Sequence, residues 1–215
     1  MKNAGPEGKV RLSSPLLIVI SAPSGGGKTT LCQQLLARHP DMVRVVTCTT
    51  RLPRPGEIEG RDYYFLDSSS FEKRLAAGDF LEHATVYNNS YGIPKYEVLN
   101  KLRTGSDVLL NVDVQGAATV CAKAAADPEL SKALVSVFLT PASLTELAAR
   151  LNRRATDSPA QLARRLGLAR QEVEQWPHFQ YLIISTSVEE DVRQTEAIIN
   201  AERLRQSRST FTLGS

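Results

Sequence analysis

The sequence predicts an α/β fold, a parallel sheet flanked by helices. Three observations point to it. Continuous apolar runs recur at Leu16–Ile20, Val108–Asp113, Leu134–Leu139 and Tyr181–Ile184. Runs that do not alternate suit strands covered on both faces, as in a parallel sheet. Each run leads into a helix-like stretch: Thr29–Arg38, Gln115–Ala126, Ala142–Leu151 and Val188–Leu204. Strand followed by helix, repeated along the chain, is how parallel sheets are built. Finally, 215 residues suit one mid-sized domain with room for small insertions.

The elements fall in order. Residues 1–14 are polar and read as a disordered tail, as do 209–215. Residues 15–46 and 95–208 form the core. The intervening 47–94 segment breaks the rhythm: it is rich in Pro, Gly, Tyr and Asp, with short strand-like pieces such as Tyr63–Leu66. It reads as an inserted, partly β subdomain. Arg150–Arg170 is helical and basic, interrupted at Asp157-Ser158-Pro159. Asp157 or Ser158 suits a helix cap, with Pro159 at the first helical position.

The net charge of +3 is too mild to require a nucleic acid partner. Three cysteines, Cys32, Cys48 and Cys121, lack metal-ligand spacing and read as reduced thiols in a reducing compartment. The first apolar run is strand-length and is not taken as a signal peptide. No run approaches the roughly 18 apolar residues of a membrane helix. A soluble, cytoplasmic protein is the expectation, with neither nucleic acid nor membrane as partner.

Directly after the first run stands Ser21-Ala-Pro-Ser-Gly-Gly-Gly-Lys-Thr-Thr30. Its core matches the phosphate-loop pattern, with Ala22 where the first glycine normally stands. Gly25, Gly26 and Gly27 let backbone N–H groups converge on phosphate oxygens. The helix that follows adds the partial positive charge of its N-terminus. Residues 22–30, that is Ala22, Pro23, Ser24, Gly25, Gly26, Gly27, Lys28, Thr29 and Thr30, are therefore expected to bind ATP. Lys28 reaches toward the β- and γ-phosphates and Thr29 offers a hydroxyl to Mg²⁺.

Arg51 and Arg54, stiffened by Pro53 and Pro55, form a cationic pair whose forks match phosphate oxygens. Tyr63 can donate to the same group. Spacing alone is equally compatible with a solvated basic loop.

The block Thr49-Thr-Arg51-Leu-Pro-Arg54-Pro-Gly-Glu57, with Gly60-x-Asp-Tyr63, Phe80-Leu-Glu-His83, Tyr91-Gly92 and Val112-Asp-Val-Gln-Gly116, resembles the guanylate kinase family. The resemblance runs from about Leu16 to Arg208. It implies a P-loop kinase with an ATP-binding core, an inserted GMP-binding subdomain (47–94) and a helical lid (about 150–170). It implies that Arg51, Arg54, Tyr63 and Tyr91, with Gly92, bind the GMP phosphate, and that Thr47, Glu82 and Asp113 face the guanine. It places lid arginines at Arg150, Arg154 and Arg165, which join Lys28 and Arg51 as the catalytic cations. Mg²⁺ accompanies ATP.

The guanine edge presents N1–H and the 2-amino group side by side, and one carboxylate can accept from both. Without the resemblance, Glu82 reads as a surface acid at a strand end. Transfer to a phosphate oxygen needs no general base, so the work is positioning and charge cancellation. His39, His83 and His178 receive no catalytic role.

Three positions depart from the family pattern. Ile93 stands where Ser or Thr normally contacts guanine. Asn111 replaces an acid near the metal's water shell. Ser185-Thr186 replaces Asn-Asp after the last strand. Two other readings stay open on sequence alone: a non-catalytic interaction module, and a P-loop kinase for another phosphorylated acceptor. Oligomeric state is undetermined.

Overall fold

A computed structural model describes residues 13–152 and 159–209. The chain runs β1 (Leu17–Ser21), α1 (Lys28–Arg38), β2 (Met42–Val43), β3 (Thr47–Thr49), β4 (Tyr63–Phe65), α2 (Ser68–Ala76), β5 (Phe80–Val86) and β6 (Asn89–Pro94). It continues through α3 (Lys95–Arg103), β7 (Asp107–Asn111), α4 (Val114–Ala125), α5 (Pro128–Ala133) and β8 (Leu134–Pro141). It ends with α6 (Leu144–Asn152), α7 (Pro159–Val173), β9 (Tyr181–Ser185) and α8 (Val188–Arg203). The α/β class read from the sequence is the observed one.

The larger sheet has five strands in the order β2-β7-β1-β8-β9. All are parallel, with Ile20 opposite Asn111 on one side and Ser21 opposite Phe138 on the other. β1 is central and every residue in it is buried. Its alternate side chains feed two cores. Ile18 and Ile20 pack with Leu31 and Leu35 of α1 and with Val192 and Ile199 of α8. Leu17 and Val19 pack with Val98 and Leu102 of α3, Ala117 and Val120 of α4 and Leu130 of α5. A strand with two buried faces favours apolar side chains on both, which is why Leu17–Ile20 reads as an unbroken apolar run before Ser21.

The 47–94 segment folds into a separate four-stranded sheet, β4-β3-β6-β5. β3 and β4 pair in parallel, and the other pairs are antiparallel. Helix α2, which the sequence reading did not single out, starts at Asp67, whose side chain accepts from the Ser70 N–H. It closes a small core of Cys48, Phe71 and Phe80. Phe71 and Phe80 stack with ring centroids 4.7 Å apart.

Gly92 lies against that stack. A Cβ there would stand 2.7 Å from the Phe80 ring, and Phe80 is fully enclosed. The absence of a side chain at Gly92 thus has a packing cause within the subdomain. Gly92→Ala is expected to cost about 1–3 kcal/mol from overpacking, lowering the melting temperature by several degrees. Adding Phe80→Leu should recover part of the loss, and thermal melts of the single and double variants check this.

The two ends of the described chain meet. Ser13 bridges Ser209, and the Ser14 N–H donates to the Arg208 carbonyl at 2.9 Å. These three serines, assigned to tails in the sequence reading, are therefore held. The remaining tail residues, 1–12 and 210–215, lie outside the described residues. Arg208 is buried, pairs with Glu202 and donates to the Lys132 and Leu134 carbonyls at 2.8 and 2.9 Å. Among the described residues, no helix is long and apolar enough to cross a membrane.

Candidate active site

The turn between β1 and α1 stands at the carboxyl end of the central strand, where open α/β sheets form their ligand crevice. Gly25 and Gly27 take left-handed φ values of 85° and 97°, which other residues rarely adopt. The Gly26 N–H closes on the Pro23 carbonyl at 2.9 Å, and a Cβ at Gly26 would meet the Ala22 methyl at 2.8 Å. Ala22, at the usual first-glycine position, is buried in the core beside Ile20 and Leu139. The loop accepts its methyl because Gly26 carries none.

Residues 22–30, with Asp113 and Glu172, enclose a cavity of ≈ 300 Å³. The first-turn N–H groups of α1 have no intrahelical partner, and no acidic residue lies in that turn. Thr29 and Thr30 are exposed at the cavity. The Lys28 ammonium donates to the Val112 carbonyl at 2.8 Å. Burial holds its pKa below the ordinary lysine value, opposed by the charges of Asp113, Cys32 and Glu172.

Asp113 joins this cavity to the second sheet. It caps α4, accepting from the Gly116 N–H at 2.7 Å. Gly116 separates Asp113 from Glu82 of β5: a Cβ there would lie 3.2 Å from an Asp113 oxygen and 3.3 Å from Glu82 Oε1. Burial first, and then the Asp113 charge, raise the Glu82 carboxyl to about 7, with Lys123 acting the other way.

On the facing strands, Tyr91 of β6 lies edge-on to Tyr63 of β4, with centroids 6.1 Å apart. The Arg51 guanidinium sits 5.3 Å over the Tyr63 ring. It donates from one nitrogen to both Glu57 oxygens, at 2.8 and 3.0 Å. Glu57 also accepts from the Arg54 N–H at 2.7 Å. One carboxylate thus ties the two arginine positions together across the Pro53–Gly56 turn. It raises the pKa of Arg51, helped by Tyr91. The Arg54 side chain is exposed, and Thr47 stands beside Tyr63 on β3.

From α6, Arg150 lies against the loop: its Nη1 would be 3.7 Å from a Cβ at Gly27. It is ion-paired with Glu146 at 2.6 Å. Arg165 of α7 donates to the Ser24 hydroxyl at 3.2 Å. Arg154 lies outside the described residues.

The model of the guanylate kinase family matches residues 14–202. A guanylate kinase of Paramagnetospirillum magneticum is 41% identical over 193 residues, covering 90% of this chain and 87% of that protein. One from Clostridium perfringens is 42% identical, covering 90% and 86%. The crystal structure of guanylate kinase from Anaplasma phagocytophilum superposes with a TM-score of 0.66 at 30% identity, covering 92% of this chain and 91% of that one. The chain belongs to the guanylate kinase family.

The three departures from the guanylate kinase pattern now have surroundings. Ile93 is buried in the apolar cluster with Leu81, Val98 and Val112, so its side chain helps to join the inserted sheet to the core. Asn111 is exposed at the end of β7, opposite Ile20. Ser185 is buried; it accepts from Arg150 Nη1 at 3.1 Å and donates to Asp191 at 2.8 Å. The serine therefore passes the pull of a buried carboxylate to Arg150 in place of a direct contact.

Sequence reasoning assigned no role to Glu57 or Glu172. Glu57 lies inside the quoted motif, six residues after Arg51 with a tight turn between, a usable local signal. Glu172 meets Ser24 across 148 residues, and no local pattern announces it.

Proposed function

We propose that the chain transfers the γ-phosphoryl group of ATP to GMP or dGMP, giving ADP and GDP. The observation that carries this reading is the shared wall: Asp113 lines the phosphate-loop cavity and stands beside Glu82 across Gly116. Donor and acceptor sites are thereby neighbours.

In this reading residues 22–30 hold the ATP phosphates, and Lys28 exchanges the Val112 carbonyl for a phosphate oxygen. Arg51, Arg54, Tyr63 and Tyr91 hold the GMP phosphate. Thr47, Glu82 and Asp113 face the guanine. Arg150, Arg154 and Arg165 bring further positive charge from the lid. The exposed Thr29 and Asp113, which line the same cavity, offer hard oxygens that suit Mg²⁺ held mostly by phosphates and water. When bound, the ion neutralises developing phosphate charge. The enzyme has no proton to remove, because the acceptor oxygen is already anionic near neutral pH. What it must do is hold two anions in line against their repulsion. The reading places the reaction in the cytoplasm, where three unpaired cysteines stay reduced.

Steady-state assays with GMP, dGMP and AMP test the proposal. ATP turnover should depend on GMP or dGMP. Hydrolysis independent of any acceptor, or equal use of AMP, overturns it. The pH profile is a second check. A carboxyl raised to about 7 is protonated below that pH in the empty site, and only the ionised form can accept from both guanine donors. KM for GMP should therefore climb as pH falls below about 7, approaching tenfold per unit, and level off above about 8. A flat KM between about pH 5.5 and 8 would remove Glu82 from base recognition.

A further inference from the structure

The phosphate cavity already contains an anion of its own. Glu172, on α7, places Oε2 2.9 Å from the Ser24 N–H. Arg165 lies two helical turns earlier, on the same face of α7, and donates to the Ser24 hydroxyl at 3.2 Å. One helix face thus grips one loop residue twice, with a carboxylate on its backbone and a guanidinium on its side chain. Glu172 also lines the cavity, and its charge acts on Lys28. A carboxylate that accepts from a loop N–H and partly balances the loop lysine does for the empty cavity what a phosphate oxygen does for a filled one.

The same carboxylate opposes the incoming ligand. Two anions in a partly dehydrated cavity repel far more strongly than in water, and the triphosphate needs this cavity. We propose that Glu172 is an internal stand-in for nucleotide phosphate, seated on the Ser24 N–H while the cavity is empty and displaced when the triphosphate arrives. Its displacement removes one of the two ties between α7 and Ser24, leaving the Arg165 contact as the other. Glu172 therefore sets ATP affinity without touching the reacting atoms. The inference rests on the reading that ATP phosphates occupy residues 22–30.

Calorimetric titration with pyrophosphate, which requires no turnover, separates the two claims. Glu172→Gln keeps an acceptor for the Ser24 N–H and removes the charge. It should bind pyrophosphate roughly tenfold more tightly than the unaltered chain, the order expected for deleting one like-charge contact. KM for ATP should fall in parallel and KM for GMP should not change. Glu172→Ala should also tighten pyrophosphate binding; both variants are titrated below their own melting temperatures, so a loss of stability does not obscure the result. Equal or weaker pyrophosphate binding by Glu172→Gln overturns the inference while leaving the kinase reading intact. If the unaltered chain does not bind pyrophosphate, both fall.

Discussion

Glu82→Gln should reduce the preference for GMP over AMP, in kcat/KM, from about 10⁴-fold to about tenfold. A site built to accept hydrogen bonds rejects a base that cannot donate them, because its buried polar group is left unpaired, and discrimination of about 10⁴ is typical. Glutamine offers one acceptor oxygen and an amide that clashes with the second guanine donor. The measurement is kcat/KM for both nucleotides in both proteins. A variant that keeps its preference would show that the base is read elsewhere.

The same substitution has a predictable effect on stability. The Glu82 carboxyl is raised from the ordinary 4.5 to about 7 by burial and by Asp113. A raised carboxyl pKa means that the ionised form is disfavoured in the folded state. Its contribution to stability is whole below about pH 4.5 and is lost as pH rises through about 7. Glu82→Gln should therefore melt higher than the unaltered protein at about pH 8 and close to it at about pH 5. Weaker function with higher stability is the pattern expected when a charged group is held in place for recognition. Melting curves at the two pH values decide it.

Lys28→Met should lower kcat by about 10²–10³-fold, the usual effect of removing one preorganised charge at a transition state. Methionine keeps most of the apolar stem. The lost group is the part-buried ammonium on the Val112 carbonyl. Single-turnover measurements at saturating ATP and GMP isolate the chemical step. A loss of less than about tenfold would mean that other groups, Arg150 and Arg165 among them, neutralise the phosphates without it.

The large sheet was legible because its physics is local. β1 is buried on both faces, and the apolar run Leu17–Ile20 is what such burial favours. The phosphate loop was legible because left-handed turns at Gly25 and Gly27 require glycine where the sequence places it. The inserted sheet was recognisable as an interruption, but α2 was not seen in it: its core of Cys48, Phe71 and Phe80 is small and its residues lie far apart in the chain. Ile93 looked like a lost guanine contact. Its burial with Leu81 and Val98 shows a packing role that no single strand reveals.

By itself, the sequence determined the alternation of strands and helices in the core, the phosphate-loop pattern after the first strand, and the cationic turn around Arg51 and Arg54. All of these depend on residues a few positions apart. The tertiary structure alone decided what each charge meets at a distance: Lys28 the Val112 carbonyl, Arg150 the Ser185 hydroxyl, Glu82 the Asp113 carboxylate, and Glu172 the Ser24 N–H. The reason is physical. Periodicity and turn chemistry are written over short spans, whereas the field at a buried charge is set by whichever elements the packed cores bring beside it.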